Sequence, residues 1–185
     1  MIVQERPITA EEFFALPDDG TKRELIDGEL VEMPGPKPLH SLVQARVSGF
    51  VGTFVESRDL GFVGVEVYCQ FTAKDIAQPD VAYFSKARIH GLDLNEYFHI
   101  APDLAIEIIS PSETAQNVNA KVQKYFQHGG QLVWNMYADT QQVYVYDSPD
   151  DVHIVNINGT LDGGTVLPGF SLAVRDILKG LETTS

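Results

Sequence analysis

The stretch DLAIEIISPS, residues 103–112, has the makings of a short strand running into a turn. Leu104, Ala105, Ile106, Ile108 and Ile109 are the residues a buried strand wants, and Ser110-Pro111 marks its end. Glu107 interrupts the run. A carboxylate buried without a partner costs several kcal/mol or takes up a proton, so the fold turns on what Glu107 faces. Taken alone, a strand glutamate more commonly faces solvent, and the alternation of Ile106, Glu107 and Ile108 is compatible with that. If the strand is buried, a divalent cation is the strongest partner available to it.

Downstream, Ser112 is placed to cap a helix ending at Gly129-Gly130, with Val118, Val122, Tyr125 and Phe126 on one face. QLVWNMY, QVYVYD and VHIVNI follow as strand-like runs separated by ADTQ and SPDD, the pattern of an antiparallel meander. LPGFSLAVRDIL closes the chain with a last helical turn or two. Upstream, Thr9-Ala-Glu-Glu12 is a capping box, with Ile8 and Phe13 set for a hydrophobic staple over a helix that stops near Leu16. RELIDGELVEM reads as a hairpin around Asp27-Gly28. From Pro38 to about Ser57, apolar residues recur at helical spacing. FVGVEVYCQFTA and PDVAYFS (79–85) read as strands, and residues 86–101 are ambiguous. The order predicts a mixed-sheet α/β (α+β) fold. A single domain is expected over residues 1–185, with its core at about 22–172.

Composition narrows the function. The chain has 185 residues, 44% hydrophobic and 21% charged, and a net charge of −13. A protein that holds nucleic acid mainly by neutralising phosphates is usually basic, so any such role must rest on a local patch or on bound cations. The lone Cys69 forms no intrachain disulfide and supplies no cysteine zinc site, which fits a reducing cytoplasm. No signal peptide and no apolar run of the ~18 residues a membrane span needs are seen.

Three acidic residues border or interrupt apolar strands: Glu24, Asp80 and Glu107. Carboxylates from neighbouring strands can form an oxygen site for Mg²⁺ or Mn²⁺, completed by waters and phosphate. Each also has an ordinary reading, since Glu24 can solvate a hairpin and Asp80 after Pro79 can be a turn residue. On the following helix Lys121 falls at the edge of the apolar arc, with Lys124 further out. It is either a snorkelling lysine or one that reaches the same site. His40 is a proton shuttle, a phosphate contact or a surface residue.

The blocks RELIDGELVEMPGPKPLHSLV, QPDVAYFSKAR, APDLAIEIISPSET and AKVQKYFQHGGQLVW, in this order, resemble the Uma-type putative restriction endonuclease family of the PD-(D/E)XK nuclease superfamily. The resemblance implies a restriction-endonuclease-like core, a mixed β-sheet flanked by helices. It implies that Asp80 and Glu107 are the two motif acids, that Glu24 is an additional acid, and that His40 is a recurrent histidine. By that analogy Asp80, Glu107 and Glu24 bind Mg²⁺ (or Mn²⁺), and Lys121 supports the attacking water. The chain departs from the superfamily pattern where a lysine should stand two residues after the second acid, because Ile108 and Ile109 follow Glu107. Lys121 is then the matching lysine, relocated to the helix. HGGQLVWNMY departs from the family's Tyr-Trp pair in a segment that is structural.

Two functions follow as expectations. One is a Mg²⁺-dependent endonuclease acting on DNA, with a homodimer to cut both strands and no organic cofactor or membrane. The other is an inactive nuclease-fold module for nucleic-acid or protein binding. Lys22, Arg23, Lys37, Lys86, Arg88, Lys121 and Lys124 would form a positive groove if they line one face.

Overall fold

A computed structural model describes residues 6–33 and 35–181; residues 1–5, 34 and 182–185 of the expected domain lie outside the described residues. Helix α1 (Ala10–Phe14) opens on the capping box, with the Glu12 N–H donating to Thr9 Oγ1 at 3.3 Å and the Thr9 N–H to the Glu12 carboxylate at 2.9 Å. Ile8 and Phe13 share one apolar cluster with Leu25 and Ile76, so the staple fastens this helix to a small sheet. Strands β1 (Arg23–Ile26) and β2 (Glu29–Glu32) form the hairpin. Its Asp27 and Gly28 have φ of 52° and 83°, the positive values a tight two-residue turn requires. Helix α2 (Pro38–Ser57) starts on a proline, whose missing N–H costs nothing there. Val43, Val47, Val51 and Val55 run down its buried side.

The single strand expected over FVGVEVYCQFTA is two. Strand β3 (Gly61–Val65) ends at Glu66, whose φ of 54° breaks the extended chain, and β4 (Cys69–Gln70) joins a different sheet. Strands β5 (Ile76–Ala77) and β6 (Val81–Ser85) follow, then the short helix α3 (Lys86–Ile89). Next come β7 (Leu104–Ile108), α4 (Ala115–Gln127), β8 (Leu132–Tyr137), β9 (Gln142–Ser148) and β10 (Asp151–Asn156). A hairpin of β11 (Thr160–Gly163) and β12 (Leu167–Ala173) precedes helix α5 (Val174–Leu178).

The cap of α4 is Thr114 and not Ser112: Thr114 Oγ1 accepts the Asn117 N–H at 3.2 Å. Ser112 is used in a separate turn, where its hydroxyl meets that of Ser110 at 2.9 Å and the Glu113 N–H donates to the Ser110 carbonyl. At the other end, the Gly130 N–H donates to the Tyr125 carbonyl at 2.8 Å and the Gly129 N–H to that of Phe126 at 3.1 Å. With Gly129 at φ 89°, this is a Schellman stop.

The main sheet has the order β10-β9-β8-β7-β6-β3, and the small one β2-β1-β5-β4. In the main sheet β7 and β8 are parallel and every other pair is antiparallel, so the sheet is mixed as expected. A parallel pair needs a crossover, and α4 is that crossover. Leu104, Ile106 and Ile108 point into the core shared with the α2 valines, while Ala105 packs with Val122 and Tyr125 of α4. The strand is therefore buried on both faces. The alternation of Glu107 against its isoleucines is real, but its face is covered by a helix and not by water.

Candidate active site

Glu107 sits at the end of a two-sided strand, and the helix covering it supplies what its carboxylate needs. Lys121 and Tyr125 are one turn apart on α4 and project from the same side. Lys121 Nζ lies 2.9 Å from Glu107 Oε1, and the Tyr125 hydroxyl donates to the same oxygen at 2.6 Å. Strand β1 contributes Glu24, fully buried, whose Oε1 accepts the Gln78 N–H at 2.9 Å. Its Oε2 lies 3.2 Å from Lys121 Nζ, an ion-pair contact without hydrogen-bond alignment. Lys121 thus bridges two carboxylates from different sheets, at 6% side-chain exposure.

Asp80 stands where the chain enters β6. Its Oδ2 accepts the Ile108 N–H at 2.7 Å, which ties it to the residue next to Glu107. His40 Nε2, in the first turn of α2, is 3.2 Å from the same oxygen, and Lys22 Nζ is 2.6 Å from Oδ1. One turn on from His40, Gln44 donates to the Asp80 carbonyl at 3.0 Å and to Glu66 Oε1 at 3.2 Å. The fold thus brings together the five candidate site residues, in two linked groups: Glu24, Glu107 and Lys121, and Asp80 with His40. Lys124 is elsewhere, 2.7 Å from both Asp27 and Asp75, so Lys121 is the lysine at the acids.

The charges are strongly perturbed. Burial pushes the Glu107 carboxyl up to about 7 against the pull of Lys121, and the charges of Asp80 and Glu24 push the same way as burial. Burial opposes ionisation of Asp80 too. There it is outweighed by the His40 contact, the Lys22 ammonium and the Ile108 N–H, which hold the carboxyl well below the usual range. Burial works against the Lys121 ammonium, but Glu107 and Glu24 raise its pKa above the ordinary lysine value. The Tyr125 hydroxyl is raised well above its usual value by burial and by Glu107.

Polar dissatisfaction concentrates here. Among the described residues four buried side-chain polar atoms lack a hydrogen bond, and three of them belong to this neighbourhood: Glu24 Oε2, His40 Nδ1 and Asn135 Nδ2. Asn135 stands in register with Glu107 on β8. Native structures leave few such atoms, and those they leave call for an explanation.

The three carboxylates are hard oxygen donors suited to Mg²⁺ or Mn²⁺. Among the described residues, however, no group of three or more His, Cys, Asp or Glu side chains is arranged to hold an ion, and the positive charge at these acids comes from Lys22 and Lys121. The crevice at Glu24 and Lys121, also lined by Phe71 and Lys124, has a volume of ≈ 10 Å³, about one water. Glu24, Glu107 and Lys121 are closed off, whereas Lys22 and His40 keep 20% and 21% side-chain exposure. Solvent approaches from the Asp80 side.

Sequence reasoning missed Tyr125 and Gln44 as site residues. Tyr125 was legible as a core residue, and its spacing of four from Lys121 was the signal. Gln44 had the same spacing from His40. Six of the seven residues of the expected positive groove are held in ion pairs: Lys22 with Asp80, Arg23 with Asp19 and Glu32, Lys86 with Asp59, Arg88 with Asp103, Lys121 with Glu24 and Glu107, and Lys124 with Asp27 and Asp75.

A family model described as "Putative restriction endonuclease", the Uma2 family, matches residues 10–175. A crystal structure titled as a putative nuclease belonging to DUF820, from Anabaena variabilis, is 27% identical in sequence. It aligns over 92% of this chain and 97% of its own with a TM-score of 0.82. No protein of curated function matches the chain significantly. Among the described residues, no helix is long and apolar enough to cross a membrane. With the match running from α1 to α5 and through both acidic strands, the chain belongs to the Uma2 family of putative restriction endonucleases.

Proposed function

We propose that the protein is a Mg²⁺- or Mn²⁺-dependent endonuclease that hydrolyses DNA phosphodiester bonds. The observation that carries the reading is Lys121 buried between Glu24 and Glu107, with Asp80 tied to the neighbouring Ile108 N–H. A structural role alone explains such a cluster poorly, since buried ion pairs contribute little net stability compared with apolar packing. Asp80, Glu107 and Glu24 are the residues that would hold the cation. When bound, the cation would supply an activated water and neutralise charge on the scissile phosphate.

The remaining work falls to side chains of this chain. Lys121 holds a fixed positive charge beside the acids, where it orients the attacking water and offsets charge developing on the phosphate. Tyr125 fixes the rotamer of Glu107, and His40 and the Ile108 N–H fix that of Asp80. The bond formed is between water oxygen and phosphorus; the bond broken is from phosphorus to the leaving sugar oxygen. Cleavage of both strands calls for two such sites, so the proposal includes a homodimer on DNA.

A second reading, a non-catalytic nuclease-fold module, is favoured by the pairing of the cations that a DNA groove would need. One experiment separates the two. Supercoiled plasmid is incubated with wild type and Glu107→Ala in Mg²⁺, Mn²⁺ or EDTA, and both proteins are melted with and without cation. Nicking that needs the cation and vanishes in the variant is expected. Nicking that persists in Glu107→Ala would sink the assignment, and the absence of both cleavage and a cation-dependent melting shift would favour the module.

A further inference from the structure

Both lysines at this site neutralise carboxylates, but they are held very differently. Lys121 projects from the middle of α4, contacts both Glu24 and Glu107, and is nearly sealed from solvent. Lys22 lies in the loop before β1, contacts Asp80, and keeps 20% side-chain exposure. The backbone of this loop is fixed: the Met33 N–H donates to the Lys22 carbonyl at 2.9 Å, and Asp18 and Asp19 accept the N–H groups of Gly20 and Thr21. Only the flexible four-carbon stem of Lys22 therefore needs to move for its amine to leave.

We propose that Lys22 is a displaceable internal cation that occupies Asp80 Oδ1 and must be expelled before a divalent metal ion binds there. This rests on the metal-dependent reading above and adds the element that controls it. The second oxygen of Asp80 is already engaged by the Ile108 N–H and by His40, so Oδ1, where Lys22 Nζ sits at 2.6 Å, is the oxygen a cation has to take. Charge balance points the same way. The carboxylates of Glu24, Asp80 and Glu107 are balanced by the Lys121 ammonium plus one divalent ion, and a retained Lys22 would add a positive charge with no carboxylate of the cluster left to pair it. Lys121 cannot take the role of the leaving lysine, because its departure strands two buried carboxylates at once. On expulsion the Lys22 amine has solvent to enter, since Lys22 keeps 20% side-chain exposure and His40, on the same carboxylate, 21%.

The test is calorimetric titration of Mn²⁺ into the full-length wild type, Lys22→Met and Lys22→Arg, with melting temperatures in EDTA and in Mn²⁺. Lys22→Met is expected to bind Mn²⁺ roughly tenfold more tightly or better than wild type, and to melt lower in EDTA with a larger Mn²⁺-induced rise. Lys22→Arg is expected to bind Mn²⁺ more weakly than wild type, because a guanidinium is more weakly hydrated than an ammonium and leaves a carboxylate less readily for water. If wild type binds Mn²⁺ and Lys22→Met binds no more tightly, the role of Lys22 is wrong and the metal reading stands. If none of the three proteins binds Mn²⁺, both are overturned. Should Lys22→Met fail to fold, Lys22→Arg decides: affinity equal to or above wild type overturns the role.

Discussion

Lys121 of α4 reaches Glu107 of β7 at 2.9 Å while also lying 3.2 Å from Glu24 of β1, so one ammonium joins the two sheets. Removing it leaves two buried carboxylates facing each other. Lys121→Met is expected to cost about 3–5 kcal/mol in urea denaturation. Adding Glu107→Gln to that variant should recover part of the loss, giving a coupling well outside additivity. Additive losses would mean that the pair does not interact.

Tyr125 donates to a carboxylate, and such bonds are worth more than neutral ones. Tyr125→Phe keeps the ring and its packing but removes the donor. We expect it to lose about 1.5–3 kcal/mol. Chemical unfolding of the two proteins side by side checks this, and a change of a few tenths would show that the hydroxyl does not hold Glu107.

The acids of the site predict opposite pH dependences. Burial raises the Glu107 carboxyl from 4.5 to about 7, so the folded chain holds that proton more tightly than the unfolded chain. Its contribution is complete below the ordinary value and lost as the pH climbs through about 7. Asp80 is shifted below 3.8, so its contribution is present above that value and lost as the pH falls through its folded value. Unfolding free energies measured in EDTA between about pH 5 and 8 should fall with rising pH in wild type and flatten in Glu107→Gln. A wild-type profile unaltered by that substitution would contradict the assignment.

Gly129 closes α4 in the left-handed region at φ 89°. Gly129→Ala is expected to cost about 1–2 kcal/mol, because a side chain there strains the stop that fixes the last turn and, with it, Tyr125. Melting temperature reports it. An unchanged value would mean that the chain ends this helix equally well without the motif.

Much of this fold is legible in the chain because local rules and tertiary packing agree. Thr9 and Glu12 cap as their types dictate, Asp27-Gly28 turns, and the spaced valines of α2 mark its buried side. Where reading fails, a nonlocal contact decides. Glu107 alternates as a solvent-facing residue would, and nothing within five residues of it reveals that α4 folds back over its face. Glu66 adopts a positive φ that its residue type does not advertise, splitting one apparent strand into two. Strand β11 escapes notice because Thr160-Leu-Asp-Gly163 carries a single large apolar side chain, Leu161. At the site, the acids could be picked out by their apolar settings. Tyr125 looked like a core residue, and Lys22 like one of several cations of a prospective groove, until their partners were known.

Glu24 belongs to the small sheet, whereas Glu107 and Lys121 belong to the main one and its crossover helix. The constellation therefore does not preexist in either half of the molecule. A chain whose hairpin has transiently come undone keeps the strand and the helix but lacks the third carboxylate. Assembly of the cluster is thereby tied to completed folding, a form of quality control written into the seam between two sheets.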